Sequence, residues 1–155
     1  MMVFSTEYPS RRSFLLMSAA CLVLPALPAA AAGEAGEDLV IRVGDVTNKA
    51  KFHTVNVDGT EMGVIAVRAS DGSVRTAFNT CQVCYASGRG YYKQMGNYLV
   101  CQNCGNRFRM DDVEVTRGGC NPVPITKEDK VVTEDTITIP YAFLQRSREL
   151  FANWK

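Results

Sequence analysis

The chain has 155 residues, and 17 Lys and Arg stand against 16 Asp and Glu with a single His. That balance supplies no basic excess for a phosphate backbone or an anionic bilayer, so it supports no nucleic-acid partner and no acidic membrane surface. One histidine, no phosphate-binding glycine loop and no Cys-x-x-Cys-His leave no Ser-His-Asp set, no nucleotide site and no covalent haem.

The first segment reads as an address. Ser10-Arg11-Arg12-Ser13-Phe14-Leu15-Leu16 has the form of a twin-arginine export signal. An apolar run follows to about Ala32, interrupted by Pro25 and Pro28, and ends in small residues that suit Ala-x-Ala cleavage before Gly33. The expected organisation is a signal peptide over 1–32 and a single metal- or iron–sulfur-binding domain over 33–155, with its core motif at 74–124. That domain is expected in the periplasm or another extracytoplasmic space. Uncleaved, the run is long enough to anchor the chain in a bilayer. Cys21 lacks the aliphatic residue three places earlier that lipid attachment uses.

The rest reads mostly as β structure. Residues 39–43 predict a strand. Residues 51–57 predict another, with Phe52, Thr54 or Val55, and Val57 facing inward. Asp58-Gly59-Thr60 turns the chain into a strand over 62–68, and Ser70-Asp71-Gly72-Ser73 makes a hairpin to one over 74–78. Residues 90–94 and 98–100 predict two short strands around Met95-Gly96-Asn97, and 107–110 a third. Two glycines and two prolines predict a loop over 117–124. Lys130-Val131-Val132 and Thr136-Ile137-Thr138-Ile139 predict a hairpin. Pro140 opens a helix expected to run from Tyr141 to about Trp154, with Phe143, Leu144, Leu150, Phe151 and Trp154 on its apolar side. The fold class is mainly β: a small antiparallel Rieske- or zinc-ribbon-like domain with two Cys-x-x-Cys turns and a C-terminal helix.

The chemistry is carried by cysteine. Cys81-Gln82-Val83-Cys84 and Cys101-Gln102-Asn103-Cys104 are matched pairs, with 16 residues between them. Cys-x-x-Cys sets two sulfurs on one side of a tight turn, and two such turns on a hairpin can hold four thiolates around a metal. Four thiolates suit an iron–sulfur cluster, a single iron or, alternatively, zinc. Outside the cytoplasm paired cysteines tend toward disulfides, whereas a metal inserted before folded export keeps them as thiolates. Cys120, after Gly118-Gly119, is an auxiliary or alternative ligand. His53 sits on a predicted strand and reads as structural. Arg89, Lys93, Arg107, Arg109 and Arg117 lie close in sequence, where they either offset thiolate charge or form a solvated face.

Residues 74–110 resemble a Rieske cluster-binding subdomain: a strand enters a cysteine turn, a hairpin follows, and Leu99-Val100-Cys101-Gln102-Asn103-Cys104-Gly105 closes it. Where a Rieske turn ends in histidine, this chain has Cys84 and Cys104. A closer resemblance, over about 64–124, is to the FtrD-like family of membrane iron–sulfur proteins, associated with bacterial ferrous iron uptake. It rests on Cys81-x-x-Cys84, Gly90-Tyr91-Tyr92, Leu99-Val100-Cys101-x-Asn103-Cys104-Gly105-x-x-Phe108 and Gly118-Gly119-Cys120-Asn121-Pro122-Val123-Pro124. The resemblance implies an outward-facing metal or iron–sulfur domain working beside a ferrous iron permease or a redox partner at the membrane, and it brings Cys120 into the pattern. Three functions follow: electron transfer or iron handling beside a ferrous iron transport system, a structural zinc-ribbon module, or a thiol–disulfide oxidoreductase. Against the last, neither Cys-x-x-Cys lies in a thioredoxin-like βαβ pattern.

Overall fold

The computed structural model describes residues 36–155, so the export signal read at 1–32 lies outside the described residues. Ten strands and one short helix follow in order: β1 Leu39–Arg42, β2 Lys51–Val57, β3 Thr60–Arg68, β4 Val74–Cys81, β5 Tyr92–Met95, β6 Tyr98–Cys101, β7 Arg107–Arg109, β8 Pro122–Ile125, β9 Val131–Val132, β10 Thr136–Ile139 and α1 Tyr141–Arg146. They form three antiparallel sheets, ordered β2-β3-β4-β8, β5-β6-β7 and β1-β10-β9. The chain is thus mainly antiparallel β with a short C-terminal helix.

The apolar run in β3 explains the layout. Successive side chains in a strand point to opposite faces, and β3 is buried on both. Val64 and Ala66 enter a core with Ile41, Val57, Phe78, Ile125, Ile137, Ile139, Leu144 and Phe151. Ile65 and Val67 enter a second core with Ala77, Cys81, Cys84, Tyr92, Leu99, Cys101, Phe108, Met110 and Val113. One strand therefore divides a core of aliphatic and aromatic side chains from a core in which three cysteines are built into the packing.

Three sequence expectations need correction. Phe52 is 42% exposed; His53, Val55 and Val57 are the more buried set on β2. Val57 belongs to the first core, and its phase overrides the size of the Phe52 side chain. Residues 122–124, read as loop, belong to β8, which pairs with the edge of β4. Proline is tolerated there because Pro122 and Pro124 alternate, so both missing N–H groups fall on the same, outer side of an edge strand. The C-terminal helix does not run to Trp154. It ends at Arg146, and a 3-10 turn spans Arg148–Phe151. The hydroxyl of Ser147 donates to the Phe143 carbonyl at 3.0 Å, a local bond that competes with helix continuation.

That broken end still supplies the apolar side expected of it. Phe143 stacks on Phe78 at 5.6 Å, Phe151 meets Phe78 edge-on at 5.5 Å, and Trp154 meets Phe151 at 5.3 Å. Trp154 Nε1 also donates to the Asn79 carbonyl at 2.8 Å. Asn79 matters because the β4–β8 register breaks there. Phe78 faces Val123 and Cys81 faces Pro122, so Asn79 and Thr80 are extra on β4. An even insertion preserves the alternation, and Cys81 stays on the face of Ala77, toward the second core.

A candidate metal centre of five thiols

Cys81 ends β4 and Cys101 ends β6, so each Cys-x-x-Cys turn begins where a strand stops. Backbone bonds knit the two turns together. Cys81 N–H donates to the Gly90 carbonyl at 2.6 Å, Gln102 N–H to Tyr91 at 2.8 Å and Cys101 N–H to Asn106 at 3.0 Å. Gly90 has a close neighbour: a Cβ there would lie 2.4 Å from the Cys84 carbonyl oxygen. Only glycine lets the strand-leading loop approach that turn. Gly105, at φ +76°, makes the second turn in the left-handed region and donates to the Cys101 carbonyl at 2.9 Å.

A third segment closes the site. Gln82 of the first turn accepts from Gly118 N–H at 3.1 Å and donates to the Pro122 carbonyl at 3.2 Å. Asn106, just past the second turn, donates to the Cys120 carbonyl at 2.9 Å, and Tyr92 Oη donates to the same oxygen at 2.8 Å. Cys120 is therefore held to both turns by side chains. Its sulfur lies 4.0 Å from that of Cys84.

The five sulfurs form two triangles with one shared corner. Cys81, Cys84 and Cys101 lie within 4.8 Å of one another and are all buried. Cys84, Cys104 and Cys120 lie within 4.8 Å of one another and rise from buried through half-buried to exposed. All five thiols are unbridged. His53 belongs to neither group; its Nε2 is buried without a partner and burial, with Lys51 nearby, lowers its pKa.

The electrostatics differ around the ring of sulfurs. Burial raises the Cys81 thiol, but donation from Tyr92 and from the N–H groups of Val83 and Cys84 more than offsets it, leaving that thiol below its ordinary value. Burial pushes Cys101 up to about 12 despite N–H donors from Cys104 and Asn103. The N–H of Asn106 is the main cause that holds Cys104 down to about 7. Contact with the Cys104 sulfur, then burial, raises Cys120 to about 12. Burial and the Cys81 contact raise the Tyr92 phenol. The donor set is purely sulfur, and peptide N–H groups from both turns reach it. That is the chemistry a thiophilic metal or an iron–sulfur group uses, since thiolate ligands and N–H···S bonds stabilise the metallated state. Cys81, Cys84, Cys101, Cys104 and Cys120 are the residues that would hold it.

Three of the five cations near in sequence have partners of their own. Arg107 lies over the Tyr98 ring at 4.7 Å, Arg109 pairs with Asp111 at 3.6 Å, and Arg89 reaches the Gln102 carbonyl at 3.4 Å. The supports that cysteine spacing does not reveal are Gln82, Asn106, Asn79 and Tyr92. The shared Cys-Gln-x-Cys of the two turns was a usable sign for the first.

No curated protein matches the chain. Among solved structures, it is similar to the quaternary ammonium Rieske monooxygenase CntA in complex with the inhibitor MMV12 (MMV020670), at 16% identity and a TM-score of 0.44, over 71% of this chain and 33% of that one. Among the described residues, no helix is long and apolar enough to cross a membrane. The family described as "Membrane iron-sulfur containing protein FtrD-like" matches residues 46–151, a span that includes all five thiols, and the chain belongs to that FtrD-like family.

Proposed function

We propose that this chain is an exported metal- or iron–sulfur-binding protein that transfers electrons or handles iron beside a ferrous iron transport system. The observation that carries this reading is the convergence of five thiols from three separate segments, three of them buried in a core. Gathering thiolates around a common centre costs solvation and mutual repulsion that a bound metal offsets. The sulfur-only donor set and its N–H donors favour an iron centre whose potential the protein can tune. Export by the twin-arginine route, a periplasmic or extracytoplasmic location, and a permease or redox partner at the membrane complete the proposal. Cys104 is exposed at the rim of the centre, and Val83 and Tyr85 are exposed beside it, which supports that edge as the way in for electrons.

The test is elemental analysis and an absorbance spectrum on protein exported through its own signal and purified without oxygen. Iron, visible colour and a reversible one-electron couple are expected. Colourless protein with stoichiometric zinc would refute the electron-transfer reading. One observation favours that second reading, a structural zinc module: Cys81, Cys84 and Cys101 are packed among Ile65, Val67, Leu99 and Phe108, as a staple for a small core would be.

A further inference from the structure

We infer that the five cysteines hold two metal ions rather than one, with the Cys84 thiolate bridging them. This rests on the proposal that the site binds metal, and it goes further by fixing how many ions there are and which residues hold each. The inner ion takes Cys81, Cys84 and Cys101; the outer ion takes Cys84, Cys104 and Cys120.

Three observations carry it. The first is ligand number. A single tetrahedral ion uses four thiolates and leaves the fifth without a task, yet Cys120 is not loosely placed. Tyr92, Asn106 and Gln82 all hold its segment against the two turns.

The second is geometry. The sulfurs fall into two sets of three that share only Cys84, each with all separations within 4.8 Å. With metal–sulfur bonds of about 2.3 Å, a three-sulfur ion has edges of about 4.0 Å and a four-sulfur ion about 3.8 Å. The Cys84–Cys120 separation of 4.0 Å already matches such an edge. A thiolate sulfur has lone pairs for two metals, and Cys84 stands at the one corner common to both triangles.

The third is charge. Five thiolates around one divalent ion carry about −3 by formal count, while two divalent ions reduce this to about −1. Three of the five sulfurs are buried, where uncompensated charge is costly. Of the nearby arginines, Arg109 is paired with Asp111. A second cation adds compensation within bonding distance of the sulfurs. The two positions also differ in access: the inner triad is buried throughout, and the outer one opens to solvent at Cys104.

The experiment is native mass spectrometry with elemental analysis on the exported, anaerobically purified chain and on Cys120→Ser, Cys104→Ser and Cys84→Ser. The wild type is expected to carry two metal ions per chain. Cys120→Ser and Cys104→Ser should each keep one, and Cys84→Ser should fall below one because both ions lose a ligand. Two ions retained in Cys120→Ser would overturn the inference, as an ordinary two-iron cluster on the four paired cysteines would give that result. One ion in both wild type and Cys120→Ser would also overturn it while leaving the metal-binding function intact. No metal in the wild type would overturn both. Because Cys104 is exposed and Cys120 half-buried, those two variants keep the test readable if Cys84→Ser fails to fold.

Discussion

Lys130 is the most informative side chain to remove. It lies under the segment that leads to Cys120, and its side chain is 2% exposed. Its Nζ donates to Thr76 Oγ1 at 2.8 Å, to the Ile125 carbonyl at 3.2 Å and to Glu114 Oε2 at 2.5 Å. Glu114 is 16% exposed and sits at φ +71°, a left-handed backbone that a non-glycine residue adopts only when held there. Lys130→Met keeps much of the stem's volume but leaves the Glu114 carboxylate without its cation. Breaking a buried pair from one side costs about 3–5 kcal/mol. Glu114 keeps the Thr76 N–H at 2.9 Å, which places the expected loss near the lower end, about 3 kcal/mol. For a domain of this size that lowers Tm by about 12 °C. Glu114→Gln alone, which strands the ammonium, should cost a similar amount. The double variant Lys130→Met/Glu114→Gln removes both charges and keeps an acceptor for Thr76, so it should lie within about 1–2 kcal/mol of wild type. Chemical and thermal unfolding of the metal-loaded protein, followed by circular dichroism, measures all four corners of the cycle. A loss below about 1 kcal/mol for Lys130→Met, or additive losses in the double variant, would refute the claim that this pair holds the segment before Cys120.

Three further outcomes are expected. Gly90→Ala places a Cβ 2.4 Å from the Cys84 carbonyl, so it should cost about 2 kcal/mol and lower metal content; Gly44→Ala, with nothing within 4 Å, is the neutral control, and equal behaviour of the two would sink the argument. Asp71 is held down to about 2 by the hydroxyl and N–H of Ser73, and then by Arg75. A depressed carboxylate stabilises the fold above its ordinary value near 3.8 and loses that contribution as pH falls toward about 2. The Tm advantage of wild type over Asp71→Asn should therefore be full at pH 5 and shrink steadily below pH 4; a constant difference would contradict the reading. Removing the metal with a chelator under reducing conditions should lower Tm and speed amide exchange over 81–90, 101–106 and 117–121, the segments that meet at the sulfurs, while the β1–β10 pairing stays protected. Uniform loss of protection would mean that the centre supports the whole fold.

How much of this was written in the chain can be seen residue by residue. The two Cys-x-x-Cys pairs, the hairpin between them and the strands on either side follow from short-range rules. Spacing brings sulfurs together within one turn, and β-branched alternation marks strands. The run from Met62 to Val67 marked a strand, and the fold buries it on both faces. The phase of β2 was left open, because Phe52 and Thr54 stand on one parity and Val55 and Val57 on the other, and the opposing core decides which parity faces in. The strand at Pro122–Ile125 was hidden for a related reason: two prolines forbid a central strand but allow an edge, and edge or centre is a property of the sheet.

The sequence by itself determined the chemistry of this protein. It supplies a sulfur-only set of candidate ligands in two matched turns, with a fifth thiol after a Gly-Gly pair and a near-neutral chain without nucleotide or haem motifs. Only the tertiary structure decided how the thiols are grouped. Pairing of β8 with β4, the Asn79–Thr80 insertion pinned by Trp154, and the side chains of Gln82, Tyr92 and Asn106 bring Cys120 against Cys84 and leave Cys104 at the surface. Spacing rules act over one turn of chain. The distance between sulfurs on three separate segments is set by long-range packing and hydrogen bonds, which no local pattern encodes.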